Sequence, residues 1–186
     1  MAIFQLHISA VQRSVGRRAT AAAAYRAGER IRDERSGEWH DHGRRRDVVH
    51  TEIFLPAQFD GIPMSWARSR AKLWNAAEQA EQRRNSRVAR EFQVTLPHEL
   101  SAAQRLSLAR AFSQEIANRY KVAVDLAVHD PRPDADPRHF HAHLLTTTRE
   151  ITPEGLAAKS GLDMSDAERQ RLKLPDHRQE YVNVRK

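Results

Sequence analysis

At 186 residues, 40% hydrophobic and 30% charged, the chain has the size and composition of one globular domain with its own core. It has no cysteine, which excludes disulfides and thiolate metal sites, and no apolar run approaches the ~18 residues of a membrane span. A net charge of +7 and a pI of about 10.3 point to a polyanionic partner, nucleic acid before a membrane surface.

Residues 2–9, AIFQLHIS, alternate as a strand, with Phe4, Leu6 and Ile8 on one face and Gln5 and His7 on the other. The start MAIFQLHISAVQR has neither the basic region nor the long apolar core of a signal peptide, so a cytoplasmic protein without membrane insertion is expected. Residues 10–16 read as a loop. RRATAAAAYRAGERIR, 17–32, reads as a helix because alanine is the best helix former. The i, i+3, i+4 rule places Arg18, Ala21, Ala22, Tyr25 and Gly28 on one face, a small-residue surface suited to close packing.

Residues 31–47 are strongly charged and, with Gly37 and Gly43, read as an exposed loop or flap. Arg44, Arg45 and Arg46 there are either phosphate contacts or a solvated charge run, and His40 and His42 lack strand partners. DVVHTEIFLP, 47–56, is the next strand, with Val49, Ile53 and Leu55 toward the core and His50 and Glu52 away. Residues 64–83 form an amphipathic helix that places Trp66 and Trp74 in the core. Val88, Phe92, Val94 and Leu96 then mark a strand, with Glu91 and Gln93 on its opposite face. Ser101 opens a helix reaching Tyr120.

The stretch 121–149 carries the chemistry. Two strand-like runs flank a loop rich in Pro, Asp and Arg. His139, His141 and His143 alternate and so share a face. If the two runs pair, His129 stands beside them, and the cluster of neutral nitrogens suits a divalent metal. The expected fold is α+β: a central five-stranded antiparallel sheet with helices packed on one face and the active site on the other. Its polar face collects Gln5, His7, His50, Glu52, Glu91, Gln93, Asp125, His129, His141 and His143. After Thr148 the chain reads as irregular apart from a short helix at 164–172. The domain is therefore placed at 1–160, with 161–186 an extension leading toward something further.

Four segments together resemble the N-terminal relaxase domain of the MobA/MobL plasmid mobilisation proteins, endonucleases with a histidine-hydrophobic-histidine motif. They are MAIFQLHIS; AAAAYRAGE; LWNAAEQAEQRRNSRVAREFQVTLPHELS; and AVHD followed by HAHLLTTTR. TPEGLAAKSG resembles a further family segment. The resemblance implies nicking of single-stranded DNA at an origin of transfer, with a tyrosine attached to the 5′ phosphate. Tyr25 resembles the nucleophile, and His129, His141 and His143 resemble the ligands of one divalent metal, Mn2+ or Mg2+ before Zn2+. Glu91 resembles an acidic residue that is a base or a ligand orienter, while Gln93 stands where some relatives have a second acid. Arg17, Arg18, Arg26, Arg149 and Lys159 are candidate phosphate contacts. Relaxosome accessory proteins and a coupling protein are the implied partners of a monomer. The rival readings are a replication initiator or transposase of the same chemistry, and a non-catalytic DNA-binding protein with structural zinc.

Overall fold

The computed structural model describes residues 5–133 and 135–174. In chain order the strands are β1 (Leu6–Gln12), β2 (Arg30–Arg32), β3 (Trp39–Asp41), β4 (Val48–Phe54), β5 (Arg87–Thr95), β6 (Val124–His129), β7 (His141–Thr146), β8 (Arg149–Thr152) and β9 (Gly155–Lys159). The helices are α1 (Ala19–Ala27), α2 (Ser65–Arg68), α3 (Arg70–Ala80), α4 (Ala102–Tyr120) and α5 (Asp166–Arg171). Five strands form the expected antiparallel sheet, in the order β1-β5-β7-β6-β4, and the α+β class holds. Two hairpins, β2–β3 and β8–β9, stand outside it.

Alternation sorts the sheet into two surfaces. Val124, Leu126, Val128, Ala142, Leu144, Phe92 and Val94 share the first, and α4 covers it with Ala109, Ile116 and Ala117. The helix starts with a reciprocal cap, Ser101 Oγ accepting from the Gln104 backbone while Gln104 accepts from the Ser101 N–H. Burying each large apolar side chain here contributes about 1.5–3 kcal/mol.

The sequence places the helices on one face, but they are not confined to it. α1 and α3 pack on the opposite, histidine-bearing face, where Ala19, Ala23, Ala24, Leu73, Trp74 and Ala77 meet Val11, Ala89 and Leu145. Polar residues of this face are the docking points. Asp125 is 4% exposed; it accepts from Arg70 at 2.8–3.0 Å and from Trp74 Nε1 at 2.8 Å, fixing α3 on the sheet. The site occupies the remaining end of the same face.

Other departures have local causes. The helix expected over 17–32 stops at Ala27, because Gly28 takes φ 65° and its N–H caps Ala24 O. Its buried stripe is Ala19, Thr20, Ala23, Ala24 and Ala27, which leaves Tyr25 on the outer side, 41% exposed. β1 runs on to Gln12 through the expected loop, while Phe4 lies outside the described residues. The expected helix 64–83 is divided at Ser69. Trp74 is in the core, and Trp66 is partly buried with Nε1 donating to Pro153 O. A register shift between Val48 and His50 turns His50 and Glu52 to the α4 side, where Arg110 binds Glu52. The boundary expected at residue 160 is not a break in packing: Leu162 joins the α4-side core and Asp163 binds Arg90.

Candidate functional site

β6 and β7 pair so that His129 faces His141, and Ala127 faces His143. The pairing places the three rings on one face at adjacent corners, with centroids 4.9–5.2 Å apart. One ligand nitrogen from each ring lies within 4.8 Å of the others. His139 stands beside His141, with centroids 5.0 Å apart, but does not join this group.

Each ring has a hydrogen-bond partner that settles which nitrogen carries the proton, since the partners can only accept. His129 Nε2–H donates to Arg26 O at 2.7 Å, His141 Nδ1–H to His139 O at 3.1 Å, and His143 Nδ1–H to Glu91 Oε1 at 2.7 Å. Lone pairs remain on His129 Nδ1 and on Nε2 of His141 and His143. An acceptor behind every ring, orienting it and raising its basicity, is the arrangement a metal-ligating histidine needs. The three residues therefore fit one divalent metal. Arg45 Nη2 lies 3.4 Å from His129 Nδ1, at the outer limit for a hydrogen bond.

Electrostatics favour the neutral, ligating form. Burial pushes His129 and His141 down to about 4, and lowers His143 as well against the pull of Glu91. Burial alone would raise the Glu91 carboxyl, but hydrogen bonds from His143 and Arg26 hold it at about 2. Arg26 Nε and Nη2 meet it at 2.5 and 3.1 Å, and Arg17 approaches to 3.7 Å. A carboxylate so committed is a weak base and a strong orienter.

Tyr25 borders the same cavity, about 280 Å³, together with Arg26, Arg45, His129, His141 and His143. Three devices position it. Glu78 of α3, 1% exposed, accepts from the Ala19 N–H at 2.6 Å and so caps the start of α1. Glu91 holds the last turn through Arg26. Arg45 Nη1 donates to Tyr25 O at 2.7 Å, and its guanidinium lies 4.2 Å from the ring centroid, while His42 meets the ring edge-on at 5.1 Å. Asp47 binds Arg45 in turn, and that hydrogen bond keeps the Asp47 carboxyl below the usual carboxylate range.

Arg45 and Asp47 are absent from the sequence-derived site, where Arg44–Arg46 read as one undifferentiated charge run. The available signal was position: an Arg-x-Asp unit just before a strand that pairs with the His129 strand. Of the five basic candidates, Arg17 and Arg26 stand at the Glu91 cluster. Arg18 is bound to Asp33 and Glu38. Arg149 and Lys159 both bind the buried Glu81 and line a separate cleft with Arg83 and Arg87.

The sequence profile of the MobA/MobL family matches residues 17–186. Mobilization protein MobL of Acidithiobacillus ferridurans is 36% identical over 195 residues, covering 94% of this chain and 50% of that protein. The probable mobilization protein MobA of Bifidobacterium longum is 38% identical over 154 residues, covering 83% of this chain and 26% of that protein. The chain thus spans about half and about a quarter of these relatives. A solved structure described as the molecular basis of vancomycin resistance transfer in Staphylococcus aureus superposes with a TM-score of 0.72 at 26% identity, covering 92% of this chain and 88% of that one. TrwC complexed with a 27-mer DNA comprising its recognition hairpin and cleavage site superposes with a TM-score of 0.50 at 11% identity, over 90% and 64%, a likeness of fold.

Proposed function

The chain belongs to the MobA/MobL family, and from that premise we propose that it nicks single-stranded DNA at a plasmid origin of transfer through Tyr25. The observation that carries the reading is the three-histidine cluster sharing one cavity with an accessible tyrosine. Three ligands rather than four favour an open, catalytic site over a closed structural zinc site.

In this mechanism His129, His141 and His143 hold one divalent cation, Mn2+ or Mg2+. Bound there, a divalent metal would supply charge neutralisation for the scissile phosphate and help to orient the phosphorus. Tyr25 Oη attacks the phosphorus and gives up its proton to solvent, the Oη–P bond forms as the P–O3′ bond breaks, and the departing 3′ oxygen takes up one proton from solvent, so the exchange is proton-neutral overall. The product is a 5′-phosphotyrosine ester and a free 3′ hydroxyl, so the reverse reaction joins strands without a nucleotide cofactor. Arg45, over the Tyr25 ring, offers a cation to the phosphate. Glu91 orients His143 and Arg26 rather than serving as the base. Arg17 and Arg26 contact the strand's phosphates. A recessed cavity requires the strand to be locally unpaired.

On this reading the protein works in the cytoplasm with accessory proteins at the origin and a coupling protein of a secretion channel. Among the described residues no helix is long and apolar enough to cross a membrane. The test uses labelled single-stranded fragments tiling the replicon that carries the gene, incubated with Mn2+. One fragment should be cut and become attached to protein at its 5′ phosphate, and chelation should stop this. Cleavage into two free ends would replace tyrosine attack with a metal-activated water.

A further inference from the structure

The β2–β3 hairpin carries a surface that the site above does not use. Its inner side packs through Ile31, 1% exposed, paired with His40. Its outer side holds Arg30, Arg32, Trp39 and Asp41, all exposed. Trp39 is 55% exposed, whereas Trp74 is fully buried and Trp66 partly so. An indole left in water forgoes favourable burial, and among the described residues no core cluster includes this one.

The ring is nevertheless held. The Arg30 guanidinium lies 4.2 Å from the Trp39 ring centroid. Its counter-ion Asp41 is 3.8 Å away, and both side chains are about 60% exposed, so the cation is open to a competing anion. Arg32, Arg44 and Arg46 are exposed on the same stretch. An accessible aromatic ring steadied by a guanidinium among further cations offers a π-face to a base and charge to its phosphate. Bases inside a duplex already have both faces covered, so an unpaired base is the ligand that fits.

We propose that Trp39 and Arg30 form a stacking subsite for an unpaired base of the strand cut at Tyr25. That identification of the strand rests on the nickase reading. β3 ends at Asp41, and the next residue, His42, packs against Tyr25. Trp39 is therefore about 10 Å of extended chain from the residue that touches the nucleophile's ring. Stacking of this kind accepts any base, so the subsite adds affinity and register rather than sequence specificity.

The test is intrinsic tryptophan fluorescence of the full chain, titrated with oligothymidylate in the presence of chelator so that cleavage plays no part. Wild type should be quenched. Trp39→Leu should lose the quench and bind about tenfold more weakly, whereas Trp39→Phe, which keeps a ring, should retain most of the affinity. Arg30→Gln should weaken binding and flatten its salt dependence. An unchanged thermal midpoint for Trp39→Leu would show that the loss is not one of folding. Emission unaffected at saturating oligonucleotide, or Trp39→Leu binding like wild type, overturns the proposal. Failure of the nickase reading is separate: the wild type would then be quenched but form no covalent adduct with any fragment.

Discussion

Glu91→Gln isolates the carboxylate's charge while keeping its shape. In the native site Glu91 is 4% exposed and accepts from His143 Nδ1 at 2.7 Å and from Arg26 at 2.5 and 3.1 Å. Removing one partner of a buried ion pair costs about 3–5 kcal/mol when the other is left bare. Arg26 keeps part of its solvation, with 20% of its side chain exposed, and the amide oxygen still accepts one hydrogen bond. A loss of about 2–3 kcal/mol is therefore expected, lowering the thermal midpoint by roughly 4–12 °C for a chain of this size. His143 also loses the anion that orients it, which should weaken metal affinity about 10–100-fold. Calorimetric titration with Mn2+ and thermal unfolding measure both. The decisive readout is adduct formation at saturating Mn2+. An orienting Glu91 predicts substantial recovery there. Unaltered Mn2+ affinity together with abolished adduct formation would make Glu91 the base and refute the assignment.

The other predictions concern the ligands, the pH range and Arg45. His141→Ala should weaken Mn2+ binding at least tenfold, whereas His139→Ala should change it little, because His139 contributes its backbone carbonyl; titration calorimetry separates the two, and the reverse order would mean a different ligand triad. Burial holds His129 and His141 at about 4 in the folded chain, below the ordinary 6.5. Between these values the unfolded chain binds protons that the folded chain refuses. Stability of the metal-free protein should therefore fall as pH drops from 6.5 toward 4, by about 1.4 kcal/mol per pH unit for each histidine. Urea unfolding at pH 6.5, 5.5 and 4.5 tests this, and a flat profile would contradict the buried neutral rings. Arg45→Ala should slow adduct formation by about tenfold or more while leaving Mn2+ affinity within a few-fold, and Arg45→Lys should recover part of the rate; single-turnover rates at saturating Mn2+ decide it.

The sheet and its histidines were legible because alternation is a local signal: residues two apart share a face wherever the strand lies. Pairing β6 with β7 then brought His129 to His141 with no further information. Which face carried helices was not legible. α1 is alanine on nearly every side, so periodicity could not choose between the stripe through Ala23 and Ala27 and the one through Tyr25. Asp125 and Glu91 read as members of an open polar face, yet each is buried beneath a helix whose arginine it binds, Arg70 or Arg26. The β2–β3 hairpin was hidden by composition, with Ile31 the buried apolar residue among charged neighbours. The bulge that turns His50 and Glu52 across the sheet leaves no trace in an alternating sequence.

The proposed mechanism depends on Tyr25 as the nucleophile. The chain has three tyrosines. Tyr120 packs partly buried against the α4-side core, Tyr181 lies outside the described residues, and Tyr25 borders the histidine cavity. Wild type, Tyr25→Phe and Tyr181→Phe should be run on a denaturing gel after incubation with Mn2+ and the 5′-adduct-forming fragment. Loss of one exposed hydroxyl should leave fold and DNA binding intact, so an adduct is expected with wild type and Tyr181→Phe and none with Tyr25→Phe. An adduct formed by Tyr25→Phe at the wild-type level would contradict it.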